Sequence, residues 1–182
     1  MKRGVDMSKN NNLQRNDSVG EAIFNMIEKI TSFGITTLEN IQNIENKLGF
    51  KFPDSYRRFL LAINGGNCTV DKIGLYVKGI DDTIILDCFY GINLEGNYKN
   101  NDMMTYINML SDDMLPESIL IADTIQQGFI VLICGGENTG VYYWDDSYVY
   151  EQSNDETNMY WIANNFEEFL NLLSTSIVEV DR

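Results

Sequence analysis

The sequence predicts a single α+β domain: a largely antiparallel sheet of about six strands, flanked by N-terminal helices and a C-terminal helix. Three observations carry this prediction. The chain has 182 residues, 44% of them hydrophobic, which suffices for one core and would be crowded for two. Apolar residues recur at helical spacing before Asn64 and again after Asn165, whereas the stretch between them opens with a period of two and later breaks into short apolar or aromatic runs separated by turn residues. The resulting order of helices, strands, one helix, strands and a final helix is that of an α+β fold.

Residues 1–17 are polar, include Asn10, Asn11 and Asn12, and carry an excess of basic side chains, so they are expected to form a disordered leader before a domain over 18–182. Ser18-x-x-Glu21 is a capping box, and Val19, Ala22, Ile23, Met26, Ile27 and Ile30 follow on one helical side. A second box, Thr36-x-x-Glu39, opens a helix with Leu38, Ile41, Ile44 and Leu48 on one side and Gly49 as the left-handed residue that ends it. Pro53 forces Phe52 out of the helical region. Tyr56, Phe59, Leu60 and Ile63 then mark the buried side of a third helix, which leaves Arg57 and Arg58 outward and stops at Asn64-Gly65-Gly66.

From residue 70 the period changes: Ile73, Leu75 and Val77 alternate with Lys72, Gly74, Tyr76 and Lys78, as in a half-buried strand. Residues 83–90 supply another. A loop rich in Gly and Asn precedes a helix carrying Met103, Ile107, Leu110 and Met114, with Pro116 just past its end. The runs 118–122, 128–134, 140–144 and 147–150, separated by Gly, Asn and Asp turns, predict a meander. Asn164 or Asn165 can cap a last helix whose Phe166, Phe169, Leu170 and Leu173 face the sheet, with Glu167 and Glu168 at its positive end.

Composition removes several function classes. Histidine is absent, which excludes Ser-His-Asp triads, Cys-His dyads and H-E-x-x-H zinc sites. Cys68, Cys88 and Cys134 form no C-x-x-C pattern, so neither a disulfide framework nor a metal site is expected and a cytoplasmic location fits. No calcium or nucleotide motif is present, and no cofactor is expected. The longest apolar run, 129–134, is too short to cross a bilayer.

Charge is the most informative quantity. The net charge is −14, yet residues 1–99 hold 12 Lys/Arg against 12 Asp/Glu, and residues 100–182 hold 15 Asp/Glu against Arg182 alone. The acidic half repels nucleic acid and anionic lipid and suits a basic partner. A surplus of acid that only maintains solubility is the plainer alternative.

The stretch Leu48-Gly49-Phe50-Lys51-Phe52-Pro53-Asp54-Ser55-Tyr56-Arg57-Arg58-Phe59-Leu60, ending in Asn64-Gly65-Gly66, resembles the N-terminal signature of the SUKH superfamily. The run from Gly128 to Val141-Tyr142-Tyr143-Trp144-Asp145 and the closing Phe166-Glu167-Glu168-Phe169-Leu170 agree in order, so the resemblance spans about residues 36–173. Two positions depart from the family pattern. Phe129 follows Gly128 where a polar or acidic residue is common, and Asp146 follows the Trp-Asp pair where a histidine is common. The resemblance implies a non-enzymatic module, commonly an immunity protein that neutralises a toxin, often a nuclease. A regulatory scaffold for cell-envelope synthesis, as in the fungal relatives, is the alternative. A carboxylate-dependent hydrolase is the least supported, since no acid/base set is legible. Within the signature Pro53, Tyr56, Phe59, Leu60, Gly65 and Gly66 are expected to be structural.

Acidic pairs at 81–82, 112–113, 145–146, 155–156 and 167–168 are most simply solvated turn residues. The sharper expectation is that some of them contact a partner beside the aromatics Tyr142, Tyr143, Trp144, Tyr148, Tyr150, Tyr160 and Trp161, about half of which should be exposed on alternating strands. The residues predicted to bind the partner are Glu137, Trp144, Asp145, Asp146, Glu151, Asp155 and Glu156.

Overall fold

Phe89, the last residue of one strand, and Tyr90 just past it point to opposite faces of a single sheet and thereby define the two layers of the molecule. The computed structural model describes residues 17–68 and 73–175. Its elements are α1 (Ser18–Ile27), β1 (Ile30–Ser32), α2 (Leu38–Leu48), α3 (Asp54–Ala62), β2 (Gly66–Cys68), β3 (Gly74–Val77), β4 (Asp82–Phe89), a 3-10 helix (Gly96–Asn101), α4 (Met103–Met109), β5 (Ser118–Thr124), β6 (Phe129–Ile133), β7 (Gly140–Trp144), β8 (Met159–Ala163) and α5 (Phe166–Thr175). The strand order is β1-β2-β4-β5-β6-β7-β8, with β3 paired to β4, and every strand pairing among the described residues is antiparallel. The α+β class and the order of the helices are as expected, but α1 ends at Ile27 and Ile30, expected on the buried side of that helix, lies in β1. The sheet has eight strands rather than about six.

Phe89 packs on Phe59 of α3, with ring centroids 5.1 Å apart, so α3 covers one face together with α1 and α5, which pack on it and on each other. Tyr90 stacks at 4.3 Å on Tyr106 of α4, which places α4 on the other, outer face. Register extends these faces across the sheet. Ala122, Ile130, Tyr143 and Tyr160 lie in the row of Phe89, whereas Asp123, Phe129, Trp144 and Met159 form an outer row.

The caps sit one residue away from two of the expected positions. Asp17, not Ser18, caps α1 by accepting from the Gly20 amide at 2.8 Å. Thr37, not Thr36, caps α2. The Ser18 hydroxyl is free of capping duty and donates to Glu167 on α5. Gly49 ends α2 at φ +81, and Asn165 caps α5 by accepting from the Glu168 amide at 2.9 Å. Apart from Asp17, the predicted leader lies outside the described residues, as do Val70 and Lys72 of the predicted strand. Leu38 is half exposed, and α4 stops at Met109, leaving Leu110 and Met114 half-buried in the turns that follow.

One strand prediction is corrected. Residues 147–150 form a turn instead of a strand, because a side chain captures the amides of Val149 and Tyr150. The last strand is β8, where Tyr160 and Ile162 are buried and Trp161 is exposed.

The signature residues gather around α3 and the junction that follows it. Tyr56, Phe59 and Leu60 are fully buried, and the Pro53 carbonyl accepts from the amides of Tyr56 and Arg57 at the start of α3. Gly65 lies at φ +68, where a Cβ would approach the Gly91 nitrogen to 2.5 Å; a side chain there would drive α3 off the end of β4. Buried Asn64 locks the same junction, donating to the Ile92 carbonyl at 3.0 Å and accepting from its amide at 2.9 Å.

Arg57 and Arg58 are not free outward cations. Arg58 makes two hydrogen bonds to Asp17, at 2.8 and 2.9 Å. The buried Glu45 carboxylate accepts from Arg57 at 2.6 Å and from the Phe52 amide at 2.9 Å, and meets Lys51 at 3.0 Å. Burial pushes the Glu45 carboxyl up, but the hydrogen bonds from Arg57, Phe52 and Lys51 outweigh it and hold it below its ordinary 4.5. A lowered carboxylate stabilises the fold above its unfolded value, and that contribution disappears as pH falls through the folded value. The difference in urea midpoint between wild type and Glu45→Gln is therefore expected to be largest above pH 4.5 and to shrink as the solution is acidified below it. A pH-independent difference would refute this role.

Candidate functional site

Where β7 ends, the chain must turn back to reach β8, and one buried carboxylate organises that return. Asp145 is fully buried. It accepts from the amides of Val149 at 2.9 Å and Tyr150 at 3.0 Å and from the Ser153 hydroxyl at 2.5 Å. Its own amide donates to Asn158 at 2.8 Å, and Ser153 meets the Tyr160 hydroxyl at 2.8 Å. The expectation that Asp145 is a solvated turn charge offered to a partner is thus corrected: an aspartate followed by a short polar loop is well suited to collecting backbone donors.

The loop held in this way forms one wall of an open cleft of about 530 Å³. Trp144 and Met159 supply its floor, Leu115 and Asp113 the opposite wall, and Asp146, Tyr148, Asp155 and Glu156 the rim. Trp144 is 5% exposed, wedged against Phe129 at 5.8 Å, so it shapes the cleft and offers little area of its own. The Tyr148 hydroxyl donates to Asp155 at 2.9 Å. Partial burial, followed by the charges of Asp113 and Asp145, pushes the Asp146 carboxyl up. No Lys or Arg among the described residues lines the cleft. Among the described residues no group of three or more His, Cys, Asp or Glu is placed to hold a metal ion.

Of the predicted partner-binding residues, the fold therefore brings together Trp144, Asp146, Asp155 and Glu156. Glu151 is exposed on the same loop but outside the cleft. Glu137 lies in the turn that precedes β7, at the far end of that strand from Trp144 and roughly 15–20 Å away at the usual rise per residue. Sequence reasoning missed Leu115 and Met159 and left Asp113 and Tyr148 unplaced, because these segments meet only after β8 pairs with β7.

The cysteines are poorly suited to nucleophilic chemistry. Burial, with help from nearby carboxylates, pushes the thiols of Cys68 and Cys134 up to about 12 and that of Cys88 higher still. All three are free. Among the described residues no helix is long and apolar enough to cross a membrane.

The model of the SMI1 / KNR4 family (SUKH-1) matches residues 35–172, which include α2, α3, the whole meander and most of α5. The chain belongs to this family. It is also similar to the SPbeta prophage-derived uncharacterized protein YokK of Bacillus subtilis (strain 168), with 27% identity over 164 residues, 81% of this chain and 80% of that protein. As a SUKH-1 domain it keeps the signature around α3 in the core, while the acidic cleft lies at the opposite, outer face of the sheet.

Proposed function

We propose that this SUKH-1 protein is a non-enzymatic cytoplasmic binding protein of the immunity type, which neutralises a cognate protein toxin by covering a basic face of it. The observation that carries the reading is the acidic cleft with its aromatic floor, set in a half of the chain that holds only Arg182 as a cation. Two further features support it: the absence of histidine and the raised thiols leave no legible catalytic set.

The test is to search the adjacent reading frame for a large secreted protein with a C-terminal toxin domain and to co-express that domain with this chain. A stable complex that relieves the toxicity of that domain is expected. Selective binding to a cell-envelope synthesis enzyme instead would favour the regulatory-scaffold reading. Charges exposed at the rim act mainly on encounter, over a screening length of roughly 8 Å at physiological salt. Reversing the exposed Asp155 and Glu156 to Lys is therefore expected to slow association by about tenfold at low salt and to flatten its salt dependence, with little change in melting temperature. Stopped-flow mixing measures this, and an unchanged association rate would place the interface elsewhere.

A further inference from the structure

Among the described residues, the outer face of the sheet is covered at its centre and bare at one edge. Leu120, Val131, Tyr142 and Trp161 stand in one row across β5, β6, β7 and β8. Leu120 and Val131 are buried, Tyr142 is half-buried, and Trp161 is 49% exposed. The reason is geometric. The covering helix α4 packs on β5, and its ring contacts pass from Tyr106 to Phe129 to Trp144, in the neighbouring row. Beyond that chain of rings, no helix among the described residues covers β7 and β8 on this side, since α5 packs on their inner face. The two half-exposed aromatics therefore adjoin the Trp144 and Met159 floor of the cleft directly.

We propose that Trp161, with Tyr142 beside it, is the apolar anchor of a docking surface continuous with the acidic cleft. The occupant is a partner protein that presents an apolar side chain flanked by arginine or lysine. A rigid, half-exposed tryptophan next to a polar rim is the arrangement in which binding energy concentrates. Charge complementarity selects the partner: Asp113, Asp146, Asp155 and Glu156 border the patch without a cation among the residues lining the cleft. The same charges repel an anionic bilayer, and they repel a second copy brought face to face by a two-fold axis. The surface rests on the reading of this chain as a protein-binding module, not on the partner being a toxin.

The chain has two tryptophans, hence two indole N–H signals by NMR, one from the anchor and one from the cleft floor. Titration with the peptide acetyl-Arg-Leu-Arg-Leu-amide is expected to shift the Trp161 indole and the Met159 amide. The same peptide with citrulline for arginine should do so at least about fivefold more weakly. Trp161→Ala should abolish the effect while melting like wild type, since its ring is half in water. Absent shifts, equal shifts with both peptides, or shifts confined to α1 and α3 overturn the proposal. With the domain from the adjacent reading frame as ligand, Trp161→Ala is expected to raise Kd about 30-fold, mainly through faster dissociation. A protein that takes the peptide at this face but ignores that domain loses the toxin reading and keeps the docking surface. One that binds the domain equally well as Trp161→Ala keeps the toxin reading and loses the docking surface.

Discussion

Replacing Phe59 by alanine is expected to destabilise the fold by about 3–5 kcal/mol, the range for deleting a large buried ring. Phe59 is fully buried and joins three parts of the chain, with Phe89 of β4 at 5.1 Å, Phe166 of α5 at 5.4 Å and Tyr56 at 6.3 Å. The cavity cannot close by moving one neighbour, because Tyr56 and Phe166 also brace each other at 4.9 Å. For a domain of this size the loss corresponds to a fall in Tm of roughly 10 °C. Phe59→Leu, which keeps most of the volume, should lose distinctly less. A thermal melt of Phe59→Ala that superimposes on wild type would show that this side of α3 is not the core.

Asp145→Ala should cost on the order of 3 kcal/mol through a different cause. The substitution leaves the amides of Val149 and Tyr150 and the Ser153 hydroxyl without the charged acceptor that they share, and stranded donors are costly to leave unmade. The damage should be local as well as global: hydrogen exchange at Val149 and Tyr150 is expected to accelerate far more than exchange in β5 or β6. Partner association should fall too, since Tyr148 and Asp155 would lose their fixed position at the rim. Uniform acceleration across the sheet, or none, would contradict the role assigned to Asp145.

The legible parts of the fold were those written in local chemistry. Gly49 and the signature around α3 announce themselves within a few positions, the caps of α1 and α2 do so to within one residue, and the strands of the meander stand out as short apolar runs between turn residues. The short β1 and β2 have no pattern of their own and exist because β4 offers β2 a partner and β2 in turn offers one to β1. The segment 147–150 has good strand-forming side chains, but a side-chain acceptor five residues or fewer away won its amides. For the site, residue types and their half of the chain were readable, whereas burial was not. Asp145 and Asp146 are neighbours of the same type, and only the return of the chain to β8 sends one inward and leaves the other at the rim. Glu137 shares the acidic composition of the cleft but not its place. Trp161, the exposed ring, could have been found from the alternation of Met159, Tyr160, Trp161 and Ile162 once a strand was assigned there.

The bond between Ser18 and Glu167 has a practical meaning for anyone building with this domain. It fastens α1 to α5, so the first helix and the last run side by side on the face of the sheet opposite the cleft. Ser18 opens α1 and Glu167 lies in the first turn of α5, so the two helices start side by side, and a cross-link engineered between these positions would tie the first helix of the domain to its last.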